Sequence, residues 1–224
     1  ELAHPGDTVL VHAGTYRERV TPKRGGTKEL PITYQAAENK AVVVKGSAVF
    51  TPQWEAWENS ASIFRGKLDP SIFSGVSQNP FHRSISIASS DKSETVRPSP
   101  GGECKRTLGQ VFVNGEPLVQ VTNQDDLRRA GGTWIVEPDG QSLLVHFPRR
   151  IGPAQKPLVE ISVRDRIFCP YRRGLGYIHV KGFVFEHCAN QGPFPQNGAL
   201  SVRSGHDWVI TNNVIRFAKT VGLD

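Results

Sequence analysis

The sequence predicts an all-β chain: a parallel β-helix whose N-terminal coils are interrupted by an inserted antiparallel β module. Three observations predict it. Gly (22) and Pro (16) together make up about 17% of 224 residues, against an average nearer 12%, which is more punctuation than a helical bundle carries. Short β-branched runs recur at both ends of the chain with no 3.6-residue period between them, so βαβ crossovers are not available. The last fifty residues also repeat their own pattern.

The first fifty residues supply four runs. Thr8-Val9-Leu10-Val11 is continuously apolar or β-branched, residues 16–20 follow the Gly14-Thr15 turn, residues 32–36 follow Gly25-Gly26 and Pro31, and residues 42–46 come next. Runs of four or five such residues between breaks suit buried parallel strands. Near the other end, residues 177–187 align with 208–218 at an offset of 31, while Gly198-Ala199 matches Gly222-Leu223 at 24. The difference marks a loop insertion within residues 189–197 and predicts a coil of about 24 residues, the period of a β-solenoid. The leucine-rich repeat spacing is absent. Asn212-Asn213, between two strands, suits a turn whose side chains stack on the next coil.

The middle of the chain breaks this rhythm. Residues 84–105, rich in Ser, Pro and Gly, predict a mobile loop. Residues 110–113 and 117–121 flank Asn114-Gly115-Glu116, and residues 133–136 and 142–147 flank Glu137-Pro138-Asp139-Gly140. Both patterns predict hairpins. Residues 159–163 alternate and could close a small sheet, and residues 125–130 form the best short helix, with acids first and bases last. The expected organisation is therefore 1–50 for the first coil or coils, 51–170 for the inserted module, and 171–224 for further coils that stop within a turn. An open solenoid end exposes strand edges, so further C-terminal coils or a partner chain are expected to cover it. Met 0 and the opening Glu1-Leu2-Ala3 predict an interior piece or a processed product.

Lys+Arg 27 against Asp+Glu 21 gives +6 and an isoelectric point near 9.4. The bases are scattered as pairs (Lys23-Arg24, Arg128-Arg129, Arg149-Arg150, Arg172-Arg173), which read as a solvated mixed-charge surface. No helix-turn-helix, zinc-finger spacing or aromatic stripe points to nucleic acid. No run is long and apolar enough for a membrane span. Cys104, Cys169 and Cys188 permit at most one disulfide, contain no CxxC, and leave the redox compartment open.

Pro5-Gly6-Asp7-Thr8-Val9, Gly14-Thr15-Tyr16-Arg17-Glu18, Gly26-Thr27 and Pro31-Ile32-Thr33-Tyr34 resemble the first coil of right-handed parallel β-helix, pectate-lyase-like proteins. Residues 110–115, Gly132-Thr133-Trp134, Tyr177-Ile178 and Gly182-Phe183 are similar to β-helical glycoside hydrolases that carry a β-sandwich-like insert, including some xylosidase and fucosidase types. The resemblance implies a carbohydrate-active protein, secreted or periplasmic, whose partner is a carbohydrate polymer. Hydrolysis by paired carboxylates is the preferred chemistry. A polysaccharide lyase of the same fold and a non-catalytic binding protein are the alternatives.

The site candidates follow from that chemistry. A glycosidase needs two carboxyl groups roughly 5 to 9.5 Å apart, and Glu186 and Asp224 are the acids nearest the expected groove. Asp224 falls at the level of Leu200 in the coil alignment, inside an expected strand. His187, Asn190, Gln191, Phe194, Gln196, Arg203 and His206 are the substrate-binding candidates, offering amides to sugar hydroxyls and a ring to a pyranose face. A lyase would instead use Arg203, Lys219 or His187 against a uronate proton. No acid cluster has calcium-loop spacing, so no metal and no cofactor is expected. His179 is read as structural, as are Asp7, Arg17 and Glu18, and Trp54, Trp57 and Trp134 as packing the insert.

Overall fold

The computed structural model describes residues 3–39, 41–76, 78–83, 106–191 and 197–224. The expected loop 84–105, with Cys104, and the candidates Phe194 and Gln196 lie outside the described residues. In chain order the strands are β1 (Thr8–Val11), β2 (Gly14–Tyr16), β3 (Ile32–Ala36), β4 (Val42–Lys45), β5 (Ser47–Val49), β6 (Glu55–Ala56), β7 (Ile63–Lys67), β8 (Val111–Val113) and β9 (Glu116–Pro117). They continue with β10 (Val119–Gln120), β11 (Thr133–Val136), β12 (Ser142–His146), β13 (Val159–Ser162), β14 (Ile178–Lys181), β15 (Val184–Cys188), β16 (Val209–Thr211) and β17 (Val214–Ala218). One short helix, α1 (Gln124–Arg129), precedes β11. The chain is thus all-β with one small helix, and it divides into two compact units: Glu1–Ser47 with Arg164–Asp224, and Ala48–Val163.

In the first unit every ladder is parallel. One sheet has the order β1-β3-β14-β16, with Thr8, Thr33, His179 and Val209 in register. The other has the order β2-β4-β15-β17, with Tyr16, Val44, Phe185 and Ile215 in register. A third ladder of single parallel bridges joins Val20, Phe168, Leu200 and Leu223. Each turn of chain therefore adds one rung to all three. Ile32, Tyr34, Val44, Ile178, Val180, Phe185 and Leu200 fill the interior. Phe168 is its hub, meeting Tyr34 edge-on at 5.2 Å, Phe185 at 6.1 Å and Trp208 at 6.2 Å.

The register differs from the sequence alignment by one residue. His179 pairs with Val209 and Val184 with Val214, an offset of 30 and not 31. The interior decides it. Ile178, Val180 and Phe185 point inward and must lie over Trp208, Ile210 and Ile215; a one-residue slip would turn each to the opposite face. The same correction moves Asp224: Leu223 is the rung beside Leu200, so Asp224 sits at the level of Ser201. Residues 16–20 are not one strand, since β2 ends at Tyr16 and only Val20 pairs again.

Left-handed backbone marks the corners. Tyr177, Gly182 and His187 have φ of 54°, 81° and 67°, and the residues thirty further on, Asp207, Asn212 and Phe217, have 55°, 56° and 55°. Gly182 adopts this conformation at no steric cost, and Asn tolerates it better than most residues. Asn213 then ties the corner to the preceding turn. Its Oδ1 accepts the Phe183 N–H at 2.9 Å and its Nδ2 donates to the Val180 carbonyl at 2.8 Å. The expected Asn stack is therefore a side-chain-to-backbone clamp.

The second unit pairs mainly antiparallel. Its larger sheet has the order β10-β11-β12-β7-β6, antiparallel except for β10 with β11. Its smaller sheet has the order β5-β13-β8-β9. Both expected hairpins form, β8–β9 across Asn114-Gly115 and β11–β12. The expected strand 117–121 is divided, however, with β9 in one sheet and β10 in the other. β13 is buried along its whole length and not only on alternate faces. Phe50, Phe81, Trp134, Val136, Leu143, Val145 and Phe147 join Val111 and Ile161 in one core, with Trp54 packed against it. A second cluster contains Trp57, Ile63, Leu127, Ile135 and Leu144. The three tryptophans thus pack this unit. Asn123 caps α1, its Oδ1 accepting the Asp126 N–H at 2.9 Å.

Candidate functional site

Most of the sequence candidates belong to the first unit's second sheet and the segment leaving it. On the outer face of that sheet, Lys45, Glu186 and Arg216 stand in register on β4, β15 and β17. Lys45 Nζ is 3.1 Å from Glu186 Oε1, and Arg216 Nε donates to Oε2 at 2.6 Å. The Glu186 side chain is only 4% exposed, while that of Arg216 is 56% exposed. Burial by itself would raise the Glu186 pKa, but the hydrogen bonds from Arg216 and Lys45 outweigh it and hold the carboxyl below its ordinary value. A proton-donating glycosidase acid needs the opposite shift. Glu186 is an ionised anchor between two cations.

His187 follows at the corner, fully buried, with Nδ1 2.9 Å from Ser47 Oγ and its ring tilted against Phe217 at 5.8 Å. Full burial keeps this ring out of contact with solvent. Asn190 is buried as well. Its Nδ2 donates to the carbonyls of Asn197 and Val221 at 2.6 Å each, and its Oδ1 accepts the Thr220 N–H at 3.3 Å. The amide expected to meet sugar hydroxyls is spent on backbone, closing the loop between β15 and the next turn. Gln191 is half-buried beside it, with Oε1 lacking a hydrogen bond among the described residues.

Arg203 and His206 also differ from their expected roles. Arg203 Nη1 donates to the carbonyls of Pro170 at 3.2 Å and Tyr171 at 2.6 Å, a strap to the preceding turn. His206 is exposed; its Nδ1 lies 2.8 Å from Asp207 Oδ2 and its ring meets Tyr177 edge-on at 5.2 Å. A Cβ on Gly176 would overlap this imidazole, so the close approach of ring to backbone requires glycine there. His179 is half-buried on β14, its pKa lowered by burial and then by Lys181.

Asp224 is the acid whose surroundings leave chemistry open. Its N–H donates to the Leu200 carbonyl at 3.2 Å and its carbonyl accepts the Val202 N–H at 3.0 Å. One carboxylate oxygen, Oδ1, is buried with no hydrogen bond among the described residues. A Cβ on Gly198 would lie 2.9 Å from that oxygen, so Gly198 makes room for it. Arg166 reaches the same loop, donating to Asn197 Oδ1. Glu186 and Asp224 are carried by different ladders: β15 holds the first, and the second follows the rung made by Leu223. Among the described residues no three His, Cys, Asp or Glu side chains gather as metal ligands. Among the described residues no helix is long and apolar enough to cross a membrane. Cys169 and Cys188 are buried and not joined to one another, and burial pushes the Cys188 thiol well up.

Sequence reasoning missed Lys45 and Arg216 as partners of Glu186. The signal was present: with the offset of 30, Glu186 and Arg216 share one column.

No family's sequence profile matches the chain. Solved structures do align with it. The chain is 29% identical to a protein solved as "the complex structure of XylC with xylose", with a TM-score of 0.77 over 99% of this chain and 37% of that one. A structure described as a glycoside hydrolase aligns over 86% of the chain and 46% of its own, at 12% identity and a TM-score of 0.49. Over 55 residues the chain is 40% identical to the uncharacterized protein YwoF of Bacillus subtilis (strain 168), which is 25% of this chain and 12% of that protein. The chain thus spans less than half the length of these proteins.

Proposed function

We propose that the chain belongs to a carbohydrate-active protein, a glycoside hydrolase acting on a xylose-containing glycan. In this reading the three parallel ladders are the opening coils of a right-handed parallel β-helix, with residues 48–163 as its inserted antiparallel module. The observation that carries it is the likeness to the xylose-bound XylC structure along nearly the whole of this chain. In this reading Asp224 is the carboxylate that carries the chemistry, since Glu186 is held as a carboxylate between Lys45 and Arg216. A partner that is a glycan polymer places the protein outside the cytoplasm, secreted or periplasmic.

The test is product analysis with the protein on neutral xylo-oligosaccharides, xylan and a panel of other plant and algal glycans. Release of reducing pentose supports the reading. A product with an ultraviolet-absorbing double bond makes the protein a lyase, and glycan binding without turnover makes it a binding protein; either overturns the hydrolase assignment. Asp224→Asn is expected to lower turnover by two or more orders of magnitude, as removal of a catalytic group does. Glu186→Gln should act chiefly on stability.

A further inference from the structure

Two basic pairs far apart in sequence are brought onto neighbouring turns. Val20, Phe168 and Leu200 are successive rungs of one ladder, and the chain leaving each rung turns through residues 20–26, 168–174 and 200–205. The backbone registers these turns. The Cys169 N–H donates to the Val20 carbonyl at 3.0 Å and the Tyr171 N–H to the Pro22 carbonyl at 2.8 Å, while Arg203 straps the third turn to Pro170 and Tyr171. Lys23, Arg24, Arg172 and Arg173 are all exposed. The three segments contain no Asp or Glu, and none of these four side chains makes an ion pair among the described residues. Several arginines elsewhere are matched to acids, among them Arg65 to Glu137, Arg128 to Glu58 and Arg216 to Glu186.

We propose that this ladder of cations, Lys23 and Arg24 on one turn and Arg172 and Arg173 on the next, binds the carboxylates of a uronate-bearing polysaccharide. Like charges on adjacent turns repel, and an anionic partner removes that cost. Neighbouring parallel strands stand about 4.8 Å apart, so the cations advance along the ladder in steps comparable to those of an extended sugar chain. Tyr171, next to Arg172 in the chain, is 63% exposed, with Lys23 Nζ 4.1 Å from its ring centroid. The amphipathic ring gives a sugar an apolar surface beside the charges. The choice of a polysaccharide among polyanions rests on the function proposed above; the charge argument does not.

The experiment compares binding of the protein to glucuronate-substituted xylan, to the same xylan after carboxyl reduction, and to a single-stranded oligonucleotide, each at low and high salt. The expected result is preference for the acidic xylan, weakened by salt. The combined Lys23→Ser, Arg24→Ser, Arg172→Ser, Arg173→Ser variant should bind it about tenfold or more weakly. Arg149→Ser with Arg150→Ser, a basic pair in the second unit, should leave it unchanged. Equal binding of acidic and reduced xylan, or an undiminished affinity in the quadruple variant, overturns the proposal. Tighter binding of the oligonucleotide overturns the choice of partner. Turnover of neutral xylo-oligosaccharides is measured in parallel: its absence with acidic-xylan binding intact defeats the hydrolase reading and leaves the ladder standing.

Discussion

The two units solve the problem of strand register in opposite ways. In the second unit local chemistry sets part of it: Asn114-Gly115 turns β8 into β9, and residues 137–140 turn β11 into β12, so those partners are neighbours in sequence, while β7 with β12 and β8 with β13 pair across longer stretches. In the first unit partners are 23 to 148 residues apart, as Leu200 with Leu223 and Val20 with Phe168 show, and no turn can set the pairing. Inward side chains, left-handed corners and side-chain clamps do so instead. Register set by turns is written locally; register set by stacking is written only in the relation between turns.

That contrast can be broken at several points. The largest effect is expected from Phe185→Ala, which opens a cavity beside Phe168 in the stacked core. It should cost about 3–5 kcal/mol, read as a lowered urea midpoint, and loss of amide protection should spread along β4, β15 and β17. Trp134→Ala should cost a similar amount, with protection lost in the second unit's strands. A loss confined to the substituted strand in the first unit would show that stacking does not set its register.

Glu186→Gln should cost about 3 kcal/mol, because it leaves Lys45 buried without its counter-charge. The pH dependence follows from the depressed pKa. The folded carboxyl gives up its proton more readily than the unfolded one, so its contribution is complete above the ordinary glutamate value of about 4.3 and is lost as pH falls through the lower folded value. Urea midpoints of the parent protein should therefore drop across that acid range, and the Gln variant should lack this part of the drop. A parallel decline in both proteins would exclude Glu186 as its source.

Asn213→Ala removes both bonds of the corner clamp and should cost about 2 kcal/mol, with faster exchange at the Phe183 amide as its local mark. Asn123→Ala removes only the cap of α1, a local feature of the second unit, and should cost about 1 kcal/mol. If the clamp proves weaker than the cap, stacking contributes less to the first unit than its geometry implies.

The same contrast explains what could be read from the sequence. Hairpins and α1 were legible because Asn114-Gly115 and the acids-to-bases run at 125–130 carry their meaning within a few residues. The parallel runs at 8–11, 32–36 and 42–45 were legible as strands from β-branching. Their register was not. An offset of 31 still sets Ile178 on Val209 and Val184 on Ile215, and it is the interior positions of Val180 and Phe185, which it would set against Thr211 and Arg216, that separate it from 30. The site suffered for the same reason. With the wrong offset, Glu186 had no visible cation beside it, and Asn190, His187 and Arg203 looked exposed because polar side chains in a loop usually are. Each is taken up by backbone or a neighbouring hydroxyl, and hydrogen bonds across turns leave no signature in a single stretch of chain.

The left-handed corners carry a consequence for how such a chain tolerates change. From Tyr177 to His187 and from Asp207 to Phe217 they fall at the same five-residue intervals. Between rungs of the third ladder, by contrast, the chain takes 32 residues from Phe168 to Leu200 and only 23 from Leu200 to Leu223. Between these last two turns growth and shrinkage are thus kept out of the corner-to-corner block, which keeps its length, whereas the earlier turns carry longer blocks between the same two sheets. An added residue inside one of that block's strands would turn the rest of that strand's side chains from interior to exterior. The same residue added beyond His187 would only lengthen a loop, and new binding loops can arise there without disturbing the stack that displays them.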